Sequence, residues 1–346
     1  MSFSKILNHW YSNNKRELPW RQTTNPYFIW LSEIILQQTQ VNQGLPYYES
    51  FIKEFPTVFH LAKAPESKVL KLWQGLGYYS RARNLHASAK YIVDELNGQF
   101  PSTYNDLLKL KGVGDYTASA IASISFNEAT AVVDGNVFRV LSRYVGIDTP
   151  INSSKGFKEF KQLAQELIDK KNPADFNQAI MEFGAVQCKP QNPECDSCPF
   201  QKSCIAYGEK RISDLPVKLK PNKAVLKHFN FVVIISKNQK TVLEKRKGKG
   251  IWQNLYQFPL VETSKDANAN EMIELIKKKE FVNGVSFKLS LYAEKPIIHK
   301  LSHQHLHTKF WILHTDKSLD NGICFRDIYD YPVPVLIENF IKDFNF

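Results

Sequence analysis

The sequence is poor in cysteine and has no long hydrophobic run. Only five cysteines occur among 346 residues, which is too few for the disulfide framework of a small secreted protein. No stretch approaches the roughly 20 apolar residues that a membrane-spanning helix needs, and residues 1–20 carry charged side chains without a continuous apolar core. We therefore expect a protein of the reducing cytoplasm that has no membrane partner.

Acidic side chains are also in deficit. The chain has 34 Asp and Glu residues against 45 Lys and Arg residues, which gives a formal net charge of +11. Such an excess favours a polyanionic partner, and nucleic acid fits it better than a membrane surface does. A gain in solubility alone would also explain a basic composition, so the charge leaves both interpretations open.

Four of the five cysteines are concentrated in one short segment, with the spacing C-x6-C-x2-C-x5-C. They are Cys188, Cys195, Cys198 and Cys204. Thiolates this close in sequence can converge on a metal centre. Structural zinc sites usually pair their cysteines in two short knuckles, so this spacing fits a [4Fe–4S] cluster better. Free core cysteines and two disulfides are the alternatives, and Cys324 has no assigned role.

The sequence predicts a multi-domain protein with an all-α first domain and an α+β second domain. In residues 1–207, apolar side chains recur at helical spacing and short segments with proline or glycine separate them. Residues 208–227 are basic, contain two prolines and few large apolar side chains, and are predicted to be a linker. In residues 228–346 the hydrophobic period shortens to that of strands, with one helix expected near 269–279.

A glycine-containing turn lies between two apolar helical segments. Its sequence is LKGVG at residues 110–114, and a helix is expected to begin near Tyr116. Gly112 and Gly114 permit a tight turn and a close approach of the backbone to a ligand. Free N–H groups at the start of such a helix can hold a DNA phosphate. The pattern is typical of a helix-hairpin-helix, and an ordinary turn is the alternative.

Several motifs together resemble the endonuclease III superfamily of DNA glycosylases, and within it the adenine-specific mismatch glycosylases of the MutY type. They are LPWR (18–21), WLSEIILQQTQV (30–41), GLGYYSRARNLH (75–86), LKGVGDYTASAI (110–121), VDGNVFRVLSR (133–143) and the cysteine cluster. The resemblance spans nearly the whole helical domain. It implies a helix-hairpin-helix glycosylase domain with a [4Fe–4S] cluster on the four cysteines. It also implies base excision repair of double-stranded DNA that contains adenine paired with 8-oxoguanine or guanine.

Two carboxylates are candidates for the chemistry. Glu33 lies in an apolar run at residues 28–36, where an inward-facing carboxyl group would be desolvated and held protonated, as a general acid requires. The pattern alone favours a solvent-facing position, but the resemblance places the family's catalytic acid here. Asp134 precedes an apparent helix start, where an N-cap role explains it, and the resemblance places the catalytic aspartate at the same residue.

Cleavage of an N-glycosidic bond requires an acid for the departing base and a carboxylate for the cationic sugar. The resemblance implies that Glu33 protonates adenine and assists water, while Asp134 stabilises the sugar. Tyr116 stands where bifunctional relatives carry a lysine that forms a Schiff base, so a monofunctional enzyme that leaves an abasic site is expected. Tyr116 and Asn136 are further candidate catalytic residues. A core aromatic side chain is the alternative for Tyr116.

A base inside a duplex must be flipped out before it can be cleaved, and the gap must be filled. Gln38 and Tyr78 are candidate wedges, although Tyr78 could equally be a core aromatic side chain. Arg81, which lies near Tyr78, is a candidate phosphate contact together with Gly112 and Gly114.

The second domain resembles the Nudix-like C-terminal domain of the same family, through the stretch GIWQNLYQFP at residues 250–259. Residues 271–277 lack the carboxylate spacing of Nudix hydrolases, so recognition without pyrophosphate hydrolysis is expected. Ser302 and His303 occupy the position of the family's loop that contacts 8-oxoguanine. Leu301 replaces the phenylalanine of that loop.

Three alternatives remain at this point. The first is a pyrimidine-damage glycosylase with lyase activity, like endonuclease III. The second is a non-catalytic DNA-binding module whose cluster senses redox state. The third concerns one site only, since a zinc ion could bind alternate histidines of the second domain. These are His299, His303, His305, His307 and His314. We expect a monomer, associated with the nucleoid if the source is bacterial.

Overall fold

The computed structural model describes residues 2–220, 223–279 and 286–346. The chain divides into two compact units, one of Met1–Lys63 with Asn84–Lys220 and the other of Ala64–Arg83 with Pro221–Phe346. The predicted domain boundaries at residues 207 and 228 stay predictions. In the described part of the chain, none of the helices combines the length and apolarity that crossing a bilayer demands.

Residues 3–208 are mostly helical, as predicted. Their helices are α1 Phe3–Asn14, α2 Pro26–Leu36, α3 Val41–Glu54, α4 Val58–Lys63, α5 Glu66–Leu72, α6 Ser80–Leu96, α7 Tyr104–Leu107, α8 Asp115–Phe126, α9 Gly135–Val145, α10 Ser154–Leu167, α11 Pro173–Glu182 and α12 Ile205–Gly208. A π-helical turn, Phe183–Gln187, continues α11.

Helix α2 is buried around nearly its whole circumference. It begins at Pro26, and the side chain of Asn25 caps it by accepting a hydrogen bond from the N–H of Tyr27. Eight of its 11 residues are buried, as is typical of a helix that is apolar on all sides. Ser32 and Glu33 are therefore buried because the apolar side chains of the same helix pack into the interior on every side of it.

An aromatic core joins α1 to the segment that contains the cysteines. Phe3 of α1 stacks on Phe200 with ring centroids 4.7 Å apart. Phe200 also packs edge-on against Phe183, which in turn contacts Trp10. Because Phe200 lies between the last two clustered cysteines, this packing attaches the cysteine segment to the helical core.

The C-terminal residues form the predicted α+β arrangement. Their strands and helices are β1 Val225–Ser236, β2 Lys240–Thr241, β3 Glu244–Lys245, β4 Tyr256–Gln257, β5 Leu260–Thr263, α13 Ala269–Lys277, β6 Lys288–Leu291, β7 Ile297–Lys300, β8 Gln304–Thr315, β9 Ile323–Cys324 and α14 Val335–Phe344. The main sheet has the order β5-β1-β8-β6, and β7 pairs with β8. The two long strands, β1 and β8, are parallel, and their neighbours run antiparallel to them.

A helix covers each face of this sheet. On one face Met272 and Ile276 of α13 pack against Val232 and Trp311. On the other face Phe340 of α14 stacks on Phe310 at a centroid distance of 3.9 Å. The central strands are buried on both faces, which explains their continuous apolar sequence.

Residues 64–83 belong to this second unit although they lie early in the sequence. The side-chain oxygen of Gln74 accepts a hydrogen bond from the N–H of Val333 at 3.1 Å. Tyr79 donates to the Val333 carbonyl, and the ammonium group of Lys71 donates to the Tyr329 carbonyl. These bonds anchor α5 and the loop after it to the chain just before α14.

Candidate active site

Glu33 lies on α2 and is only 8 % exposed. Burial raises the pKa of its carboxyl group from 4.5 to about 7, because a low-dielectric surrounding disfavours the charged form. A hydrogen bond with Tyr116 and the positive charge of Arg21 act in the opposite direction, and the negative charge of Asp134 adds to the rise. The pattern-based expectation that Glu33 faces water is wrong, because the rest of α2 is apolar on all sides.

Tyr116 is in the first turn of α8. Its hydroxyl group hydrogen-bonds with Glu33 and lies 3.1 Å from the sulfur of Met181, to which it donates. Burial raises the pKa of Tyr116 well above its usual value, so the phenol stays neutral. The hydroxyl group can accept a hydrogen bond from protonated Glu33 or donate one to ionised Glu33.

Asp134 caps the N-terminus of α9, as predicted. Its Oδ1 accepts hydrogen bonds from the backbone N–H of Asn136 at 2.9 Å and of Val137 at 2.8 Å, and its Oδ2 accepts from the Asn136 amide at 2.9 Å. Burial raises the pKa of Asp134, while these three bonds oppose the rise. The cap holds the carboxylate in a single orientation at the mouth of the helix.

Arg139 fixes the orientation of Asn136. Its Nη2 donates to Asn136 Oδ1 at 2.8 Å and to the Gly184 carbonyl at 2.7 Å, and its Nε donates to the Cys188 carbonyl at 2.7 Å. The amide oxygen is thus committed to Arg139 and the amide nitrogen to Asp134. Sequence reasoning missed this residue, although an arginine between the apolar residues Phe138 and Val140 was a visible signal.

Glycine is required where α9 meets the turn after α11. A Cβ added at Gly184 would lie 2.6 Å from the Cβ of Asn136, closer than side chains approach. The absence of a side chain lets the Gly184 carbonyl reach Arg139, so this glycine and this arginine act together on Asn136.

A second buried carboxylate, Glu182, was also missed. Arg16 donates to it at 2.7 Å and Arg21 at 2.8 Å. Burial alone would raise the pKa of Glu182, but the hydrogen bonds from the two arginines outweigh it and lower the pKa to about 2. Arg21 also lies over the ring of Tyr11, 5.6 Å from its centroid. The partners in these ion pairs are separated by 161 and 166 positions in the sequence, so no local pattern predicts them.

The helix-hairpin-helix turn precedes α8, which begins at Asp115 as expected. Gly112 has a φ of +82°, in the left-handed region that favours glycine. No atom of the described residues lies within 4 Å of a Cβ added at Gly114, so the helix start is open for the approach of a ligand. Lys161 and Tyr104 hold Asp115 through hydrogen bonds of 2.8 and 2.7 Å.

The four clustered cysteines line one cavity of the first unit, and Arg143 lines it with them. All five cysteines of the chain are free thiols, so the alternative of two disulfides is wrong. Burial raises the pKa of Cys195 and Cys204, and that of Cys198 to about 11. A bound cation would act in the opposite direction and favour the thiolate form that metal ligation requires.

Arg143 organises the chain around this cavity. It donates to the carbonyls of Lys189, Pro190 and Leu215, and its Nη1 is 3.5 Å from the sulfur of Cys188. Among the described residues, no three His, Cys, Asp or Glu side chains are arranged around a single metal ion. A [4Fe–4S] cluster does not need such a group, because each of its irons takes one cysteine. The four-thiol lining therefore fits a cluster better than a single zinc ion, and the histidine zinc site is not found in the described part of the chain.

Both candidate wedges have left-handed backbone conformations. Gln38 is exposed just after α2, with a φ of +54°, and Tyr78 is 50 % exposed, with a φ of +46°. Such conformations in residues other than glycine are uncommon and often mark functional positions. Tyr78 is not a core side chain, so that alternative is wrong, whereas its neighbour Tyr79 is buried.

Tyr78 meets the loop between β7 and β8. Its hydroxyl group is 3.0 Å from that of Ser302, and the adjacent His303 is exposed. Arg81 is buried, donates to the carbonyls of Leu76 and Gly77, and lies over the Tyr78 ring. It therefore supports the turn that presents Tyr78, and its predicted contact with a phosphate stays a prediction.

Comparison with known proteins is consistent with this geometry. Residues 31–170 match the HhH-GPD superfamily of base excision DNA repair proteins, and residues 230–343 match the NUDIX domain. An adenine DNA glycosylase of Buchnera aphidicola is 37 % identical over 306 residues, covering 88 % of this chain and 85 % of that protein. The chain belongs to the adenine DNA glycosylase family. The Homo sapiens member is 46 % identical over 214 residues, 59 % of this chain and 39 % of that protein.

Solved structures of DNA glycosylases share the fold of the helical part. A thermostable thymine-DNA glycosylase has a TM-score of 0.56 and 30 % identity, covering 60 % of this chain and 95 % of that chain. An endonuclease III in a DNA complex has a TM-score of 0.53 at 24 % identity, with coverage of 60 and 94 %, and shares the fold. As an adenine DNA glycosylase family member, this chain is a base excision repair enzyme, so the interpretation as a non-catalytic module is wrong.

Proposed function

We propose that the protein hydrolyses the N-glycosidic bond of adenine mispaired with 8-oxoguanine or guanine in double-stranded DNA. The observation that carries this proposal is Glu33, a buried carboxyl group with a pKa of about 7 that hydrogen-bonds with Tyr116 and interacts with the charge of Asp134. A carboxylic acid that is half protonated near neutral pH can both give and take a proton.

The reaction uses the two carboxylates in different protonation states. Protonated Glu33 donates its proton to a ring nitrogen of adenine while the bond between that base and the sugar carbon breaks, and the bonding electrons leave with the base. The sugar becomes an oxocarbenium-like cation, which ionised Asp134 stabilises. Water then attacks the sugar carbon and Glu33 accepts its proton, so the products are free adenine and an abasic site.

The residues around these carboxylates support hydrolysis without strand cleavage. Tyr116 has no amine to form a Schiff base with the sugar, in contrast to a lysine at that position. Asn136, held by Arg139, keeps the Asp134 carboxylate turned in one direction. The pyrimidine-damage lyase is therefore the less favoured function.

The cofactor of this proposal is a [4Fe–4S] cluster held by the four clustered cysteines. When bound, it would supply a crosslink between segments of the chain around residues 188–204, and glycosidic hydrolysis requires no electron from it. Arg143 supports this assignment because it places a positive charge 3.5 Å from the sulfur of Cys188, beside the position that a negatively charged cluster with its cysteine ligands would occupy.

Recognition of the opposite base is proposed for the second unit. Tyr78 would fill the space left by the flipped adenine, and Ser302 and His303 would hydrogen-bond with the 8-oxoguanine. The contact of Tyr78 with Ser302 supports this division, since it brings the wedge and the recognition loop within one hydrogen bond of each other. Gln38, Gly112 and Gly114 are proposed contacts to the rest of the duplex.

The test is a single-turnover assay of Glu33→Gln on a duplex with an adenine:8-oxoguanine pair. We expect binding to persist and base release to be lost, while the surface control Glu166→Gln releases base at the rate of the parent protein. Strand breaks should require alkali, and the rate of the parent should fall as pH rises through about 7, since the acid must be protonated. Base release by Glu33→Gln at the parental rate, or breaks without alkali, would contradict the proposal.

A further inference from the structure

The hairpin formed by β3 and β4 carries an exposed basic tip. The chain between residues 240 and 254 contains five basic residues and one acidic residue. Lys245, Lys247 and Lys249 are exposed, and none of them forms an ion pair with a residue that the structure describes. Three unpaired ammonium groups within five residues attract an anion.

The backbone of this tip is open. Gly248 and Gly250 have φ angles of +107° and +136°, which residues with a side chain rarely adopt. Within the part of the chain that the structure describes, no atom lies within 4 Å of a Cβ added at either position. Glycine at both positions leaves the peptide groups of the tip accessible. An extended ligand such as a DNA strand can therefore approach the backbone between the lysines.

The rest of the loop is fixed in place. Arg246 donates to the Ile251 carbonyl at 3.0 Å and to Gln257 at 3.2 Å, which closes the hairpin from within. Trp252 is buried against Phe229 at a centroid distance of 6.2 Å. The lysines are thus carried on an ordered loop, so their charges have a defined position.

The loop is also anchored beside the proposed recognition site. Arg83 donates to the Gln253 carbonyl at 2.9 Å, and Asn254 donates to Glu66 at 2.7 Å. Arg83 and Glu66 flank Tyr78 in sequence within the segment 64–83. On the other side, Trp252 contacts His299 of β7, the strand that leads to Ser302, at 5.8 Å.

We infer that the tip of this hairpin binds the phosphodiester backbone of duplex DNA through Lys247 and Lys249. An extended chain of four residues spans at most about 14 Å, so Lys249 stays within that distance of Gln253, where the loop is anchored. The phosphates that it reaches therefore lie within a few base pairs of the mispair. This inference rests on the proposed function only in taking DNA as the ligand, and it requires no base excision.

The test compares two double variants of the full chain that lose the same charge. The tip variant combines Lys247→Gln and Lys249→Gln, and the control variant combines Lys237→Gln and Lys317→Gln. The control lysines are exposed and follow the ends of β1 and β8. Each of these 12-residue strands spans about 36 Å, and β8 begins next to Ser302. The control therefore removes equal charge at the far end of the same sheet.

Binding to an undamaged duplex is measured between about 50 and 200 mM salt. Each lost phosphate contact lowers the slope of log K against log salt by about 0.9, so the tip variant should lose about 1.8 in slope and bind tens of times more weakly at about 0.1 M. The control should keep the parental slope. Equal slopes for the tip variant and the parent, or equal losses in both variants, would overturn the inference.

A second measurement locates the contact. Neutral methylphosphonate groups are substituted one at a time for the phosphates on either side of an adenine:8-oxoguanine pair, with Glu33→Gln as the background to prevent turnover. One or two substitutions close to the pair should weaken binding of the background protein and have no further effect in the tip variant. If every substitution weakens both proteins equally, the tip does not bind these phosphates. Failure of the proposed catalytic function would leave the salt-slope result unchanged, so the two failures can be distinguished.

Discussion

Replacement of Glu33 by Gln should stabilise the protein, and the gain should grow with pH. The buried carboxyl group can remain neutral only by binding a proton, and its pKa of about 7 lies above its unfolded value near 4.5. The folded state therefore binds more protons than the unfolded state between these two values. Stability contributed by the protonated group is complete below about pH 4.5 and is lost as pH rises through about 7.

The size of the effect follows from the pKa difference. One pKa unit corresponds to about 1.4 kcal/mol, so the difference in pKa between the folded and unfolded states lowers folding stability by about 1 kcal/mol at pH 5 and about 3 kcal/mol at pH 8. Glu33→Gln cannot ionise and avoids this cost. For a unit of this size, 1 kcal/mol corresponds to about 2 to 4 °C. The melting temperature of Glu33→Gln relative to the parent should therefore rise by roughly 4 to 8 °C between these two pH values.

The assay is thermal unfolding of the parent and variant across this pH range. Differences in packing between Glu and Gln are the same at each pH, so the change with pH isolates the ionisation. Glu182→Gln is the matched control, because the pKa of Glu182 is already lowered to about 2. The stability that Glu182→Gln loses relative to the parent should be nearly constant from about pH 5 to pH 8, since Glu182 is ionised throughout.

A pH-independent difference between Glu33→Gln and the parent would refute this reasoning. It would mean that Glu33 titrates at an ordinary pKa, so that desolvation does not prepare it as an acid. A gain that shrinks as pH rises would be equally contradictory, since it would require a folded-state pKa below the unfolded one.

Three further predictions address the neighbouring contacts. Arg139→Lys should lower stability by about 2 kcal/mol in thermal unfolding, because the buried Gly184 carbonyl loses a donor, and should slow single-turnover base release; an unchanged rate would argue against its orienting role. Tyr78→Phe removes the hydrogen bond to Ser302, worth about 1 kcal/mol, and should reduce the preference for adenine:8-oxoguanine over adenine:guanine about fivefold in competitive binding; an unaltered preference would contradict this. Cys198→Ser should reduce bound iron, folded fraction and DNA affinity before it affects the chemical step, whereas full DNA binding by iron-free protein would exclude a structural role for the cluster.

The family resemblance pointed to the two catalytic candidates, and the contacts that orient them were missed. Asp134 could be predicted as a cap because capping depends on adjacent residues. Glu33 was placed in the interior only through the family resemblance, although the apolar residues on every side of α2 determine its burial. Arg139 reaches the Gly184 and Cys188 carbonyls, 45 and 49 positions away, and no periodic pattern encodes such pairs.

The same limit applies to the second unit. Its fold class followed from the period of its apolar residues, which reports which faces of a strand are buried. The inclusion of residues 64–83 could not be predicted, because it depends on single hydrogen bonds such as that between Gln74 and Val333. Positive φ angles at Gln38 and Tyr78 were also invisible, since neither residue type is specific for that conformation.

The placement of residues 64–83 makes one part of the proposed DNA-binding surface depend on the C-terminal half of the chain. A shortened gene that ended near residue 220 would still encode Glu33 and Asp134. Its product would lack Val333, Gln253 and the other hydrogen-bond partners of residues 64–83. Tyr78 would be synthesised without the residues that support it. Loss or exchange of the C-terminal half would therefore alter the proposed wedge as well as the proposed recognition loop, so the two depend on the same part of the chain.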